Sequence, residues 1–172
     1  MKKSILKKEC RKILILTLSN LGDVIITLPV FTSFRKRYPY ADIDCLVGNR
    51  VYPFLKDNAL LRRVIPYDKE SSLGEKMGLL KRLRAERYDF VLDFRNSLIP
   101  YLIGRPSRSL WLNAMVKKIP SRYQRIERLI ELLGLPEPDP NELHLYSSLD
   151  CERLIRSLRS KGVYSLQNLL VI

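Results

Sequence analysis

Histidine is nearly absent from this chain. There is one, His144, in 172 residues, and no cysteine, aspartate or glutamate stands at ligand spacing from it. That argues against a metal centre. Cysteine is almost as scarce: Cys10, Cys45 and Cys151 lie far apart with no CxxC pair. An odd, scattered count excludes a disulfide framework and points to a reducing compartment. The 7 glycines form neither GxGxxG nor GxxxxGK[ST], which disfavours a nicotinamide dehydrogenase and a P-loop NTPase. No apolar run approaches the roughly 18 residues a spanning helix needs. The basic start, MKKSILKKECRK, fails as a signal peptide because its charges recur and the next apolar run soon meets Ser19, Asn20 and Asp23. Any membrane contact is therefore expected to be peripheral. Acidic residues are in deficit too, 18 against 31 Lys and Arg, for a formal net charge of +13. Such an excess suits an anionic partner: nucleic acid, phosphorylated lipid or a membrane surface.

What is present is a globular composition, 46% hydrophobic and 28% charged, at a length suited to one domain. Short apolar runs alternate with helical patterns. Strands are expected over 12–18, 41–48, 62–68 and 88–95, with a fifth around 107–112. Helices are expected over 21–38, 49–57, 71–87 and 121–135, the first kinked or broken at Pro29 and the last closed by Gly134. Strand–helix alternation predicts an α/β fold, a doubly wound and mostly parallel sheet. PEPDPNE, 136–142, reads as a linker, followed by a further helix and a closing apolar run, NLLVI.

The chemistry gathers at LSNLGDVIITLP, 18–29, where the first strand hands over to the first helix. Doubly wound sheets place ligands at that carboxyl edge, and helix N-termini there favour anions. Gly22 offers a close backbone approach or an unusual φ. Asp23 has two readings. With Asn20 as N-cap it falls at N3, where a carboxylate reciprocates the cap and complements the dipole. Alternatively it is a general base at the mouth of the sheet. Spacing alone leaves both open.

The stretch KILILTLSNLGDVIITLPVFTSFRKRYPYADIDCLVG, 12–48, resembles the opening of glycosyltransferase family 9, the lipopolysaccharide heptosyltransferases. RRVIPYDK, ERYDFVLDFRNSL and RIERLIELLGLP extend the resemblance through most of the chain. It implies the N-terminal half of a two-domain GT-B enzyme, a Rossmann-like unit that holds the acceptor. Transfer in such an enzyme is inverting and metal-independent. The resemblance makes Asp23 the catalytic base, with Ser19, Asn20 and Gly22 shaping the acceptor pocket. Asp93, Arg95, Asn96 and Ser97 would line the same cleft. It implies residues 1–135 as the acceptor-binding domain, and 136–172 as linker, helix and first strand of a donor-binding domain. The nucleotide sugar, ADP-heptose in most of the family, would bind that second domain or a separate donor-binding chain. Alone, this chain is then not expected to transfer sugar.

Between Phe94 and Ile126 no acid interrupts the basic residues, which include Arg105, Arg108, Lys117 and Lys118. Tyr101, Trp111, Leu112 and Met115 interleave them with apolar surface. Arginine forks suit the phosphates and carboxylates of a Kdo-bearing lipid A acceptor, and Trp with Leu suits a bilayer interface at the inner face of the cytoplasmic membrane. The cations of the third helix (Lys76, Lys81, Arg82, Arg84, Arg87) read as a solvated face partly balanced by Glu75 and Glu86. The rival reading is a stand-alone basic module for anionic lipid or nucleic acid. No RRM, KH, zinc-finger or helix-turn-helix signature supports nucleic acid as the partner.

Overall fold

Four short apolar runs make the sheet: β1 (Lys12–Leu16), β2 (Asp42–Gly48), β3 (Arg63–Tyr67) and β4 (Phe90–Asp93). In the computed structural model, residues 6, 9–17, 19–104, 112 and 115–138 are described. The strands pair in the order β3-β2-β1-β4, and every pair is parallel. Helices α1 (Leu21–Arg37), α2 (Tyr52–Leu55), α3 (Leu73–Ala85), α4 (Ile99–Leu102) and α5 (Arg122–Leu133) connect or flank them.

Alternating residues of each strand serve two cores, as a sheet covered on both faces requires. Ile13, Ile15, Ile43, Cys45 and Val47 pack with residues of α1 and α5, whereas Leu14, Leu16, Leu46 and Val91 pack with those of α3 and α4. The result is an α/β/α sandwich. From Thr27 to Phe34 every residue of α1 is buried, so this helix lies sunk between sheet and α5 rather than floating half in water. Its two buried threonines satisfy their hydroxyls locally, Thr27 donating to the Val24 carbonyl and Thr32 to that of Pro29. The expected break at Pro29 does not occur. The helix runs unbroken through it, because packing on both sides outweighs one lost hydrogen bond.

The ends of α5 follow its local signals. The Ser121 hydroxyl accepts from the Gln124 N–H, and Gly134 closes the helix in the left-handed region at φ 65°. The second helix is shorter than expected, a single turn. Of the fifth strand expected over 107–112, residues 107–111 lie outside the described residues, and Leu112 is helical and fully buried. The expected elements beyond 138, with His144 and Cys151, also lie outside them. No helix among the described residues is long and apolar enough to cross a membrane.

Candidate functional site

Strand order decides where a ligand can enter. From β1 the chain crosses to β2 and β3 on one side, then returns to lay β4 on the other side of β1. The connections therefore diverge between β1 and β4, and the carboxyl ends of those two strands are where an open parallel sheet is expected to hold a ligand in a crevice. Main-chain bonds fix that edge. Thr17 N–H donates to the Leu46 carbonyl and Phe94 N–H to that of Leu16, both at 3.0 Å. The β1–α1 turn thus leaves the sheet between the ends of β2 and β4.

Ser19 and Asp23 are half-buried at this turn, while Asn20 and Gly22 are exposed. Asn20 is the N-cap, with extended backbone at φ −98° and ψ 142°, so Asp23 does stand at N3 of α1. The Asn20 side chain, however, makes no capping hydrogen bond. Helix α3 shows what a completed box looks like: the Ser72 hydroxyl accepts from Glu75 N–H, and the Glu75 carboxylate accepts from Ser72 N–H.

Gly22 is used differently from expectation. Its φ is not positive, and a Cβ there would meet nothing within 4 Å. The close approach belongs to Gly48 at the end of β2, where a Cβ would lie 3.3 Å from the Ser19 Cβ. Gly48 therefore lets the β1–α1 turn fold down onto β2, a role invisible without the sheet order.

The β4 turn is organised by a buried carboxylate. Asp93 Oδ1 accepts from Arg95 N–H at 2.8 Å, and Oδ2 accepts from the Ser97 N–H at 2.7 Å and its hydroxyl at 2.8 Å. Asn96 takes φ 53°, a conformation that asparagine tolerates better than most residues. Asp93 is thus a scaffold of the turn, 2% exposed. Held this way, the Arg95 guanidinium stacks on the Tyr67 ring at 4.7 Å, and its buried Nη1 has no hydrogen-bond partner. Tyr67, from the carboxyl end of β3, was not anticipated from the sequence. It also lines a recess of ≈ 620 Å³ with Asn49, Asp68 and Arg82.

Ser19, Asn20, Gly22 and Asp23 thus share one sheet edge with Arg95, Asn96 and Ser97. Arg105, Arg108 and Trp111 lie outside the described residues. The rest of the expected basic block divides. Arg125 is engaged with the Ile119 and Pro120 carbonyls, whereas Lys117 and Lys118 are exposed. Leu112, expected on an apolar surface, is core, while Tyr101 and Met115 are exposed. Among the described residues no three His, Cys, Asp or Glu side chains are grouped to hold a metal ion.

Comparison with known proteins gives this geometry its setting. No family model matches the chain. Lipopolysaccharide heptosyltransferase 3 of Escherichia coli is 32% identical over 101 residues, 56% of this chain and 28% of that protein. Lipopolysaccharide heptosyltransferase 2 of Escherichia coli K12 is 31% identical over 111 residues, 60% of this chain and 32% of that protein. The chain is thus similar to lipopolysaccharide heptosyltransferases over part of their length. Two solved structures share its architecture. A glycosyl transferase family 9 protein of Veillonella parvula superposes with TM-score 0.68 at 19% identity, over 93% of this chain and 52% of that one. ADP-heptose heptosyltransferase II of Escherichia coli superposes at 0.55 and 22%, over 86% and 50%. The fold is that of the Rossmann-like N-terminal half of a GT-B enzyme. The match covers about half the length of these solved relatives and about a third or less of the curated ones.

Proposed function

We propose that this chain forms the acceptor side of a heptosyltransferase acting on the lipopolysaccharide inner core, with Asp23 as general base. Residues 1–135 bind the acceptor, and 136–172 lead to the unit that holds ADP-heptose. One observation supports this most: a half-buried carboxylate stands on the first turn of α1, beside the carboxyl ends of β1 and β4, in a chain whose relatives are heptosyltransferases. The step balances with a single base. As the acceptor hydroxyl oxygen bonds the anomeric carbon, Asp23 takes its proton. The carbon–oxygen bond to the diphosphate breaks on the opposite face, ADP leaves with the electron pair, and the centre inverts.

Ser19, Asn20 and Gly22 border the hydroxyl's approach, and Gly22 adds no side chain to that exposed turn. Arg95 presents a planar cation to acceptor phosphates or carboxylates, pre-oriented by Tyr67 and by the Asp93-bound turn. Arg105 and Arg108, outside the described residues, are assigned to the same acceptor-binding role. The acceptor is anchored in the inner face of the cytoplasmic membrane, so the chain works there as a peripheral protein.

The test joins this chain to the donor-binding half of its Escherichia coli K12 relative and follows ADP release with ADP-heptose and Kdo-lipid A. Asp23→Asn is expected to cut turnover by about a hundredfold or more with unchanged thermal unfolding. Arg95→Ala is expected to raise the acceptor KM and spare kcat. Turnover of the parent rate in Asp23→Asn would return that residue to a helix-terminal role, and failure of the unfused chain to bind Kdo-lipid A would remove the acceptor reading.

A further inference from the structure

We infer that the outer face formed by the C-terminal end of α3 and by α4 is a docking surface for an anionic phospholipid bilayer. This deepens the membrane-side reading above by naming the face that meets the lipid.

Positive charge is left over at the end of α3. The α3 segment carries two acids, Glu75 and Glu86, and both are consumed elsewhere. Glu75 closes the capping box with Ser72. Glu86 reaches away to the sheet, where it pairs with Lys12 at 3.1 Å, Arg62 at 3.1 Å and Arg63 at 2.8 Å. The balance expected between these acids and the helix cations is therefore not made. Among the described residues Lys81, Arg84 and Arg87 have no carboxylate partner. Together with Ile103 and Gly104 they line an open recess of ≈ 600 Å³ between α3 and the end of α4.

Apolar groups flank those cations. Helix α4 buries Ile99 and Pro100 and turns Tyr101 and Leu102 outward, 48% and 54% exposed, with Leu98 just before it at 72%. Exposed aliphatic and tyrosyl groups beside unpaired Lys and Arg complement an anionic bilayer interface. The cations meet headgroup phosphates while the apolar side chains enter the acyl boundary. Single-stranded nucleic acid fits less well, because Tyr101 alone of the three exposed groups offers a face for base stacking, while Leu98 and Leu102 offer none.

The test uses the full chain and vesicles free of any acceptor sugar, so its outcome is independent of the transferase reading. Co-sedimentation is measured with phosphatidylcholine vesicles and with vesicles containing about one-third phosphatidylglycerol. The chain should bind the anionic vesicles at least about tenfold more tightly than the neutral ones. The triple variant Lys81→Glu, Arg84→Glu, Arg87→Glu should lose that preference. A triple variant with the same change in net charge at exposed Lys36, Arg37 and Lys56 should largely keep it. Leu98→Ser with Leu102→Ser should weaken vesicle binding by several-fold while leaving the unfolding midpoint unchanged. Equal losses in the two charge variants, or indifference to the leucine substitutions, would reduce the effect to general attraction of a basic protein and overturn the assignment. Tighter binding to a random-sequence RNA than to anionic vesicles would overturn it as well.

Discussion

Asp44 shows how one side chain can hold several strands in place. It is fully buried on β2, and its carboxylate accepts from Arg62, from Arg63 and from the Tyr88 hydroxyl at 2.5–2.8 Å. Burial alone would raise its pKa, but these charged and phenolic donors outweigh it and hold the carboxyl below its ordinary range. Removing the acceptor leaves the buried Tyr88 phenol without its partner and takes the innermost carboxylate from two guanidinium groups that keep only Glu86 and, for Arg62, Asp42. Asp44→Ala is therefore expected to destabilise the chain by about 3 kcal/mol, read from urea unfolding; a loss under about 1 kcal/mol would show that water replaces the carboxylate. The same pattern on a smaller scale governs Asp93, whose three accepted hydrogen bonds shape the turn that carries Arg95. Aspartate after an apolar run reads equally well as a ligand-facing group or as a turn scaffold. Only the position of its backbone donors separated the two for Asp93.

At the scale of elements, the ends of α5 were legible from local rules, whereas the capping box of α3 and the middle of α1 were not. Ser121 and Gly134 bound α5 as capping chemistry requires, and Ser72 with Glu75 bounds α3. Gly134→Ala should cost about 1 kcal/mol, because alanine resists φ 65°, and circular dichroism during thermal unfolding should record it. An unchanged midpoint would mean that the chain after Leu133 relaxes into another terminus. Pro29 illustrates the limit of local reasoning. A proline inside a helical pattern predicts a break, yet α1 runs through it because both flanks are packed. Likewise Leu112 falls in a stretch that suggests a strand and is instead helical and buried.

Over the whole molecule the +13 charge and the carboxylate network set the response to acid. Hydrogen bonds from Lys12 and then Arg62 hold the Glu86 carboxyl down to about 2, from an ordinary 4.5. A depressed pKa in the folded state means that the unfolded chain binds more protons across that interval. The stability due to Glu86 is thus complete above about 4.5 and disappears as pH falls toward about 2. Glu86→Gln should unfold at a lower temperature than the parent at neutral pH, and the gap should close across this window. A gap independent of pH would disconnect Glu86 from acid stability. Acid also raises a net charge that is already high, so self-repulsion adds to the loss.

Parallel strands, alternating elements and a carboxylate at the first strand-to-helix joint were legible in the order of residues alone. Apolar period and capping chemistry are local, and the chain expresses them wherever it lies. The tertiary structure alone brought Asp23, Arg95 and Tyr67 to one edge, moved the close backbone approach from Gly22 to Gly48, and drew Glu86 off α3 to leave its cations exposed. Each of those depends on which strand lies beside which. Strand order is a property of long-range packing, and no window of neighbouring residues contains it.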